Sequence, residues 1–117
     1  DESIETGFLI FPAAFKNFMD YLQLLQEAER FLKHKKYNGI YQIASFHPLY
    51  CFAGSAENDA ANYTNRSPYP MLHLLRESSI DKALEQYPQP DEIPIRNIAF
   101  ARNKGLAYMK MLRDACL

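Results

Sequence analysis

The sequence predicts an α/β fold with some α+β character, in which a β-α-β unit forms a small, mainly parallel sheet covered by helices. The C-terminal half is predicted to be mostly helical. The apolar run at residues 7–11 ends at Pro12 and is typical of a buried strand. Residues 13–34 place apolar side chains at steps of three and four, which predicts a helix with a wide apolar face. A second apolar run at residues 40–46 predicts another strand, and this order implies parallel strands joined by a right-handed crossover.

The middle of the chain predicts shorter elements. The apolar residues 50–53 are compatible with a short third strand, and the small, polar residues 54–61 predict a loop. Pro70 is well placed to begin a helix over residues 70–77, because the first N–H groups of a helix are unpaired and proline has none. A further short helix is predicted over residues 78–87, and a serine at the start of this helix can cap it.

The C-terminal part of the chain predicts one long helix, from about residue 91 to residue 113, which Gly105 weakens midway. The 117 residues are predicted to form a single domain, residues 1–117. Two or three strands do not make a stable parallel sheet, since both faces need cover and both edges need partners. We therefore expect the sheet to be completed by chain preceding Asp1 or by a second copy, and the direct entry into a strand favours preceding chain.

Charge and composition exclude several classes of protein. The formal net charge is −1, so no overall positive field favours nucleic acid, and no basic block predicts binding to a membrane surface. No apolar run is long enough to span a bilayer. The two cysteines, Cys51 and Cys116, form no CxxC pair or disulfide framework, which favours a reducing, cytoplasmic setting.

Residues 45–77 are the most informative part of the sequence, because they combine many polar side chains with many aromatic rings. Such a segment is predicted to be ordered and to face a ligand. It supplies amide, guanidinium and hydroxyl groups just before the predicted helix at Pro70, whose N–H groups would suit a phosphate or carboxylate. The candidate contacts to a small anionic molecule are Asn62, Tyr63, Asn65, Arg66, Ser67 and His73.

His47 is the candidate acid/base or ligand-orienting group. It follows the second predicted strand directly, and α/β proteins place ligands at the carboxyl ends of their strands. The alternative is that its ring only holds the following loop by hydrogen bonds. The sequence does not decide whether the protein is an enzyme, because it contains no Gly-rich phosphate loop, Gly-x-Ser-x-Gly elbow or His-Glu-x-x-His helix.

Two other functions stay open. On the predicted helix His73 and Glu77 would share a face, and with His47 they would form a set of ligands for a divalent metal ion. Alternatively, residues 62–70 form a rigid structural plug in a non-catalytic interaction protein, with the asparagine side chains bonded to their own backbone. An open pocket bordered by His47 and Arg66 would favour ligand binding over the plug.

Four segments in order resemble one bacterial family, the domain-of-unknown-function family DUF1415. They are YQIASFHP at residues 41–48, FAG at 52–54, NYTNRSPYP at 62–70 and LHLLRE at 72–77. The resemblance covers nearly the whole chain and implies a bacterial, cytoplasmic protein, but no reaction. Similar proteins usually also have an N-terminal portion with a Cys-Pro-Phe segment, so the resemblance implies that this chain is the C-terminal part of a longer protein. Cys51 lies where similar proteins often have a different polar residue, which gives no support to a nucleophilic role.

Overall fold

Three strands form one antiparallel sheet in the order β1-β3-β2. They are β1 at Thr6–Ile10, β2 at Tyr41–Phe46 and β3 at Met71–Arg76. The computed structural model describes residues 4–117. In its register Phe8 lies opposite His73, and Ala44 lies opposite His73 on the other side.

The prediction of a helix over residues 70–77 is wrong, because this segment is the central strand β3. Its apolar residues are nearly continuous, and such a run does not distinguish a short helix from a strand buried on both faces. Pairing with β1 and β2 on its two sides decides the outcome. The mainly parallel sheet is also wrong, since β3 runs antiparallel to both neighbours. The two strands β1 and β2 nevertheless point in the same direction, as the β-α-β order requires, with β3 inserted between them.

The helix between the first two strands is confirmed as α1, Phe18–His34. It begins later than predicted, because the side chain of Asn17 caps it by accepting hydrogen bonds from the backbone N–H groups of Met19 and Asp20. Burial raises the pKa of the Tyr21 phenol to about 12. That hydroxyl donates to the carbonyl of Met71 at 2.8 Å and ties α1 to the sheet.

The remaining elements are short. A 3-10 helix, Ala60–Thr64, follows a loop, and no strand forms at residues 50–53, so that prediction is wrong. The helix α2, Glu77–Leu84, continues directly from β3. The predicted long C-terminal helix is divided into α3, Glu92–Lys104, and α4, Leu106–Asp114.

The core is small, and it lies between α1, the sheet and the 3-10 helix. Its buried apolar residues are Tyr21, Ala60, Ala61, Leu72 and Ala101. The helices α3 and α4 pack on the 3-10 helix, and α2 packs on β3. Within residues 4–117, no helix combines the length and apolar character needed to cross a lipid bilayer.

Candidate functional site

A cavity of about 780 Å³ opens beyond the C-terminal end of β2. Its walls come from four parts of the chain: the start of α1, the segment after β2, the segment from the 3-10 helix to β3, and α4 with the C-terminus. The charged residues on its wall are Glu57, Arg66, Lys110 and Arg113. Most of the other lining side chains are apolar, including Phe18, Met19, Leu49, Pro68 and Leu117.

Arg66 is fixed in this wall by backbone carbonyl groups. Its Nε donates to the carbonyl of Tyr50 at 2.8 Å, and its Nη2 donates to the carbonyl of Glu57 at 2.8 Å. The guanidinium also lies over the ring of Tyr63, with Cζ 4.8 Å from the ring centroid. No carboxylate of residues 4–117 forms an ion pair with it. Arg66 is therefore a positioned cation whose charge is not neutralised by a neighbouring acid.

Two further cations, Lys110 and Arg113, come from α4. Arg113 donates from Nη1 to the carbonyl of Pro48 at 3.1 Å, and its Cζ lies 5.5 Å from the centroid of the Tyr63 ring. Lys110 and Arg113 both bind Asp114, each at 3.0 Å. These two hydrogen bonds, first that of Lys110 and then that of Arg113, hold the pKa of the Asp114 carboxyl below its usual range.

His47 lies behind the cavity wall rather than in it, with none of its surface exposed. Its Nδ1 accepts a hydrogen bond from the backbone N–H of Leu49 at 3.0 Å. Its Nε2 must then carry the proton and donate to the carbonyl of Phe15 at 2.8 Å. Burial lowers the pKa of the imidazole, more than the bond to Phe15 raises it. Both ring nitrogens are therefore occupied by backbone groups, and the neutral ring ties the start of α1 to the segment after β2.

The polar side chains of the 3-10 helix and the residues after it also bind backbone. Asn62 is fully buried, accepts from the N–H of Phe52 at 2.9 Å and donates to the carbonyl of Ala56 at 2.8 Å. Asn65 donates to the carbonyl of Ser45 at 2.9 Å. The hydroxyl of Ser67 donates to the carbonyl of residue 69. These side chains hold the loop in shape, while Tyr63 and Arg66 line the cavity.

The candidate metal ligands do not come together. His73 lies on β3, stacks on the ring of Phe8 at 4.0 Å between centroids and contacts the hydroxyl of Thr6. Glu77 begins α2, so these two residues do not share a helical face. In residues 4–117 no group of three or more His, Cys, Asp or Glu side chains is placed to hold a metal ion. Burial lowers the pKa of His73.

Sequence reasoning missed the two cations of α4. Lys110 and Arg113 are three residues apart and therefore share a helix face, which was the available signal. Basic residues near the end of a helix are common for reasons unrelated to ligands, since they complement its dipole. Only the packing of α4 against the 3-10 helix brings them beside Arg66.

Comparison with known proteins identifies one family. The profile described as "Protein of unknown function (DUF1415)" matches residues 1–111, which is nearly the whole chain. No curated protein and no solved structure matches the chain.

Proposed function

The chain belongs to the DUF1415 family, and because that family's description assigns no activity, we propose from the geometry that the protein binds an amphipathic organic anion in the cavity beside Arg66. One observation carries the proposal. Arg66 lines a cavity of ligand size, is held by backbone carbonyls, and has no ion-pair partner among residues 4–117.

The hydrogen-bonding capacity of Arg66 supports an anionic ligand. A guanidinium has about five N–H donors in a planar fork. The carbonyls of Tyr50 and Glu57 engage its Nε and Nη2. The remaining donors on the two terminal nitrogens are available to a carboxylate or phosphate, and charge-assisted bonds of this kind are about twice as strong as neutral ones. Because the side chain is already fixed, a ligand would not have to order it.

The surrounding charges also favour an anion. Arg66, Lys110 and Arg113 line the cavity, whereas Glu57 is its one lining acid among the described residues. The carboxylate of Asp114 engages both cations of α4 but leaves Arg66 without an acid. A negative group placed between Arg66 and Arg113 would therefore face an excess of positive charge, in a chain whose formal net charge is −1.

The apolar walls argue for an organic ligand rather than an inorganic ion. The start of α1 contributes Phe18 and Met19, and Leu49 and Pro68 face them from the neighbouring segments. The volume of about 780 Å³ lies within the range of about 300–1,000 Å³ that is usual for small-molecule sites. Burying an apolar group against these walls would add roughly 25 cal/mol for each Å² removed from water.

The proposal changes the roles of the predicted site residues. Tyr63 and Arg66 remain contacts to the ligand, with Lys110 and Arg113 added. His47, Asn62, Asn65 and Ser67 become positioning residues, because their polar atoms bind backbone in the segments that flank the lining residues. We assign no acid/base step to His47, since both its ring nitrogens are engaged.

A second candidate is a purely structural role for residues 62–70. It is favoured by Asn62 and Asn65, whose amide groups bind backbone as a rigid plug requires. Ligand binding and the structural plug make different predictions for the replacement of Arg66. If the segment is only a plug, replacing Arg66 changes stability and nothing else.

Calorimetric titration at low ionic strength tests the proposal. The ligands would be inorganic phosphate, phenyl phosphate and a series of linear carboxylates of increasing length. We expect the amphipathic anions to bind more tightly than phosphate, and Arg66→Gln and Arg113→Gln to weaken that binding by roughly tenfold to a hundredfold, the value of a hydrogen bond to a charged group. Arg30→Gln is the matched control, because Arg30 pairs with Glu27 on the exposed surface of α1 and does not line the cavity. Equal affinities in the Arg66, Arg113 and control variants would exclude the proposed site.

A further inference from the structure

We propose that two copies of this chain pair antiparallel through β1, so that their two sheets join into one continuous sheet. The inference concerns the edge of the sheet, and none of the residues of β1 lines the anion cavity. The test of this dimer is therefore independent of the test of the proposed ligand.

The outer edge of β1 carries backbone groups that have no backbone partner among residues 4–117. Arg76 donates its N–H to the carbonyl of Glu5 at 3.2 Å, and Phe11 donates to the carbonyl of Pro70 at 2.9 Å, so the odd-numbered residues of this strand face β3. Antiparallel strands alternate the direction of their backbone groups. Thr6, Phe8 and Ile10 therefore point their N–H and C=O groups away from β3, and within residues 4–117 no strand lies on that side.

This edge lacks the features that normally protect a free strand. Natural sheets block their edges with charged side chains, proline or bulges, because an unprotected edge pairs with other chains. The residues Thr6–Ile10 include no charged residue and no proline. Instead, Phe8, Leu9 and Ile10 are consecutive apolar residues with 54%, 51% and 51% of their surface exposed. A strand of this composition is typical of a paired strand rather than a solvated edge.

The total surface is larger than a chain of this size normally exposes alone. Its accessible area is 8358 Å², whereas a folded monomer of 13.6 kDa has about 6,600 Å². The excess of about 1,800 Å² exceeds the roughly 800 Å² that each partner contributes to a stable interface of standard size. An area sufficient for a stable dimer is therefore exposed.

A second copy suits this edge because two antiparallel copies of β1 bring their outward N–H and C=O groups opposite each other. An antiparallel pair centred on Phe8 places Phe8 opposite Phe8 and Thr6 opposite Ile10, and all of these residues carry outward N–H and C=O groups. Every outward group of the three residues then has a partner. The two Phe8 rings, each stacked on His73, would form an aromatic cross-strand pair. The small net charge of −1 opposes association only weakly.

Sedimentation velocity over a range of concentrations, with amide hydrogen exchange, tests the proposal. We expect the 117-residue chain to sediment as a dimer, with the amides of Thr6, Phe8 and Ile10 protected and their protection decreasing on dilution. Phe8→Lys places like charges directly opposite each other, and we expect it to weaken dimerisation by roughly tenfold or more. Ile95→Lys is the matched control, because Ile95 is an apolar residue on α3 that is 65% exposed, more than Phe8, and its replacement should leave dimerisation unchanged.

Circular dichroism and cooperative thermal unfolding would establish that Phe8→Lys is folded, and the exchange experiment needs no variant. A monomeric mass at every concentration would overturn the proposal, even if the three amides were protected. Dimerisation that survives Phe8→Lys in a folded protein would also overturn it. Dimerisation lost in Ile95→Lys instead would assign the interface to α3.

Discussion

At the scale of single residues, His47 is the predicted acid/base group, and its ring forms hydrogen bonds with backbone groups. The Nδ1 atom accepts from the N–H of Leu49, so the ring is neutral in the folded protein, and burial lowers its pKa. In the unfolded chain the His47 imidazole binds a proton near its ordinary pKa of 6.5, whereas in the folded chain it does so only at lower pH. The free energy of unfolding should therefore be highest above pH 6.5 and fall as the pH falls below it.

Urea denaturation between pH 8 and pH 5 measures this slope. His73 contributes in the same direction, because burial also lowers its pKa. We therefore expect His73→Gln to reduce the slope in part, and His47→Gln to reduce it and to lower stability at pH 8, where the Leu49 N–H and Phe15 carbonyl lose their natural partner. A slope that is the same in both variants and in the natural chain would contradict the assignment.

Asn62 stabilises the fold through hydrogen bonds of its side-chain amide. It is fully buried and bonded at both amide atoms to Phe52 and Ala56. Asn62→Ala leaves the N–H of Phe52 and the carbonyl of Ala56 without their side-chain partner, and we expect a loss of about 1–3 kcal/mol in the free energy of unfolding. Asn103→Ala, at an exposed position of α3, is the control and should change stability by less than about 0.5 kcal/mol. Chemical denaturation compares the two, and a similar small change in both would contradict the role of Asn62.

The sequence identifies the polar residues of this region, but it does not show whether each of them contacts backbone or a ligand. Asparagine and histidine bind backbone or ligand with the same atoms, so residue type cannot separate the two roles of Asn62 and His47. For Arg66 the residue type does favour an anion contact, because a guanidinium has hydrogen-bond donors only, and this stays a prediction. The neighbouring Lys110 and Arg113 are more than forty positions away in the sequence, and their place beside Arg66 depends on tertiary packing.

At the scale of secondary structure, β3 shows where apolar periodicity fails. Met71, Leu74 and Leu75 fit a helical spacing, yet Leu72 is the most deeply buried residue of the segment. A central strand is apolar on both faces, so its pattern is a continuous run with no period of its own. The β-α-β order correctly predicts that β1 and β2 point in the same direction. It cannot predict that a later strand enters between them.

Gly105 separates α3 from α4 and gives a prediction at this scale. Its φ of 89° and ψ of 163° lie in a region that is essentially restricted to glycine. A Cβ there would meet no atom within 4 Å, so the cost of Gly105→Ala is backbone strain alone, roughly 1–3 kcal/mol.

Gly7→Ala is the matched control, because its Cβ also meets nothing within 4 Å and its φ is outside the positive region. We expect Gly7→Ala to leave the thermal midpoint almost unchanged and Gly105→Ala to lower it. If Gly105→Ala raised the midpoint, α3 and α4 would have to join into the single helix that the sequence pattern predicts.

At the scale of the whole molecule, the C-terminal helices are held to the rest largely by polar ties. The helix α3 buries only Ala101, and α4 has no buried residue. Arg102 of α3 binds Asp59 with two donors, Nε at 3.2 Å and Nη2 at 2.9 Å. Arg113 of α4 binds the carbonyl of Pro48. Because α4 supplies part of the cavity wall, these ties connect the stability of the C-terminal helices to the shape of the cavity.

The tie between Asp59 and Arg102 predicts an acid-induced release of these helices. The hydrogen bond from Arg102, followed by that from the backbone N–H of Ala61, lowers the pKa of Asp59 from its ordinary value of 3.8 to about 2. The folded carboxylate therefore stabilises the structure fully above pH 3.8, and this contribution is lost as the pH falls from 3.8 towards 2. Arg102 is exposed, so salt should weaken the same tie.

Amide exchange of α3 measured between pH 5 and pH 2.5, after correction for the intrinsic rate, tests this release. We expect protection at Ala101 to fall before protection in β3, and Asp59→Asn to show the lower protection already at pH 5. Asp114→Asn is the control, because Asp114 pairs with Lys110 and Arg113 inside α4 and does not hold α3 to the 3-10 helix. Simultaneous loss of protection in α3 and β3 would mean that the helices and the sheet unfold as one unit. In that case the cavity could not open unless the whole protein unfolded, and protonation of Asp59 would not release the C-terminal helices separately.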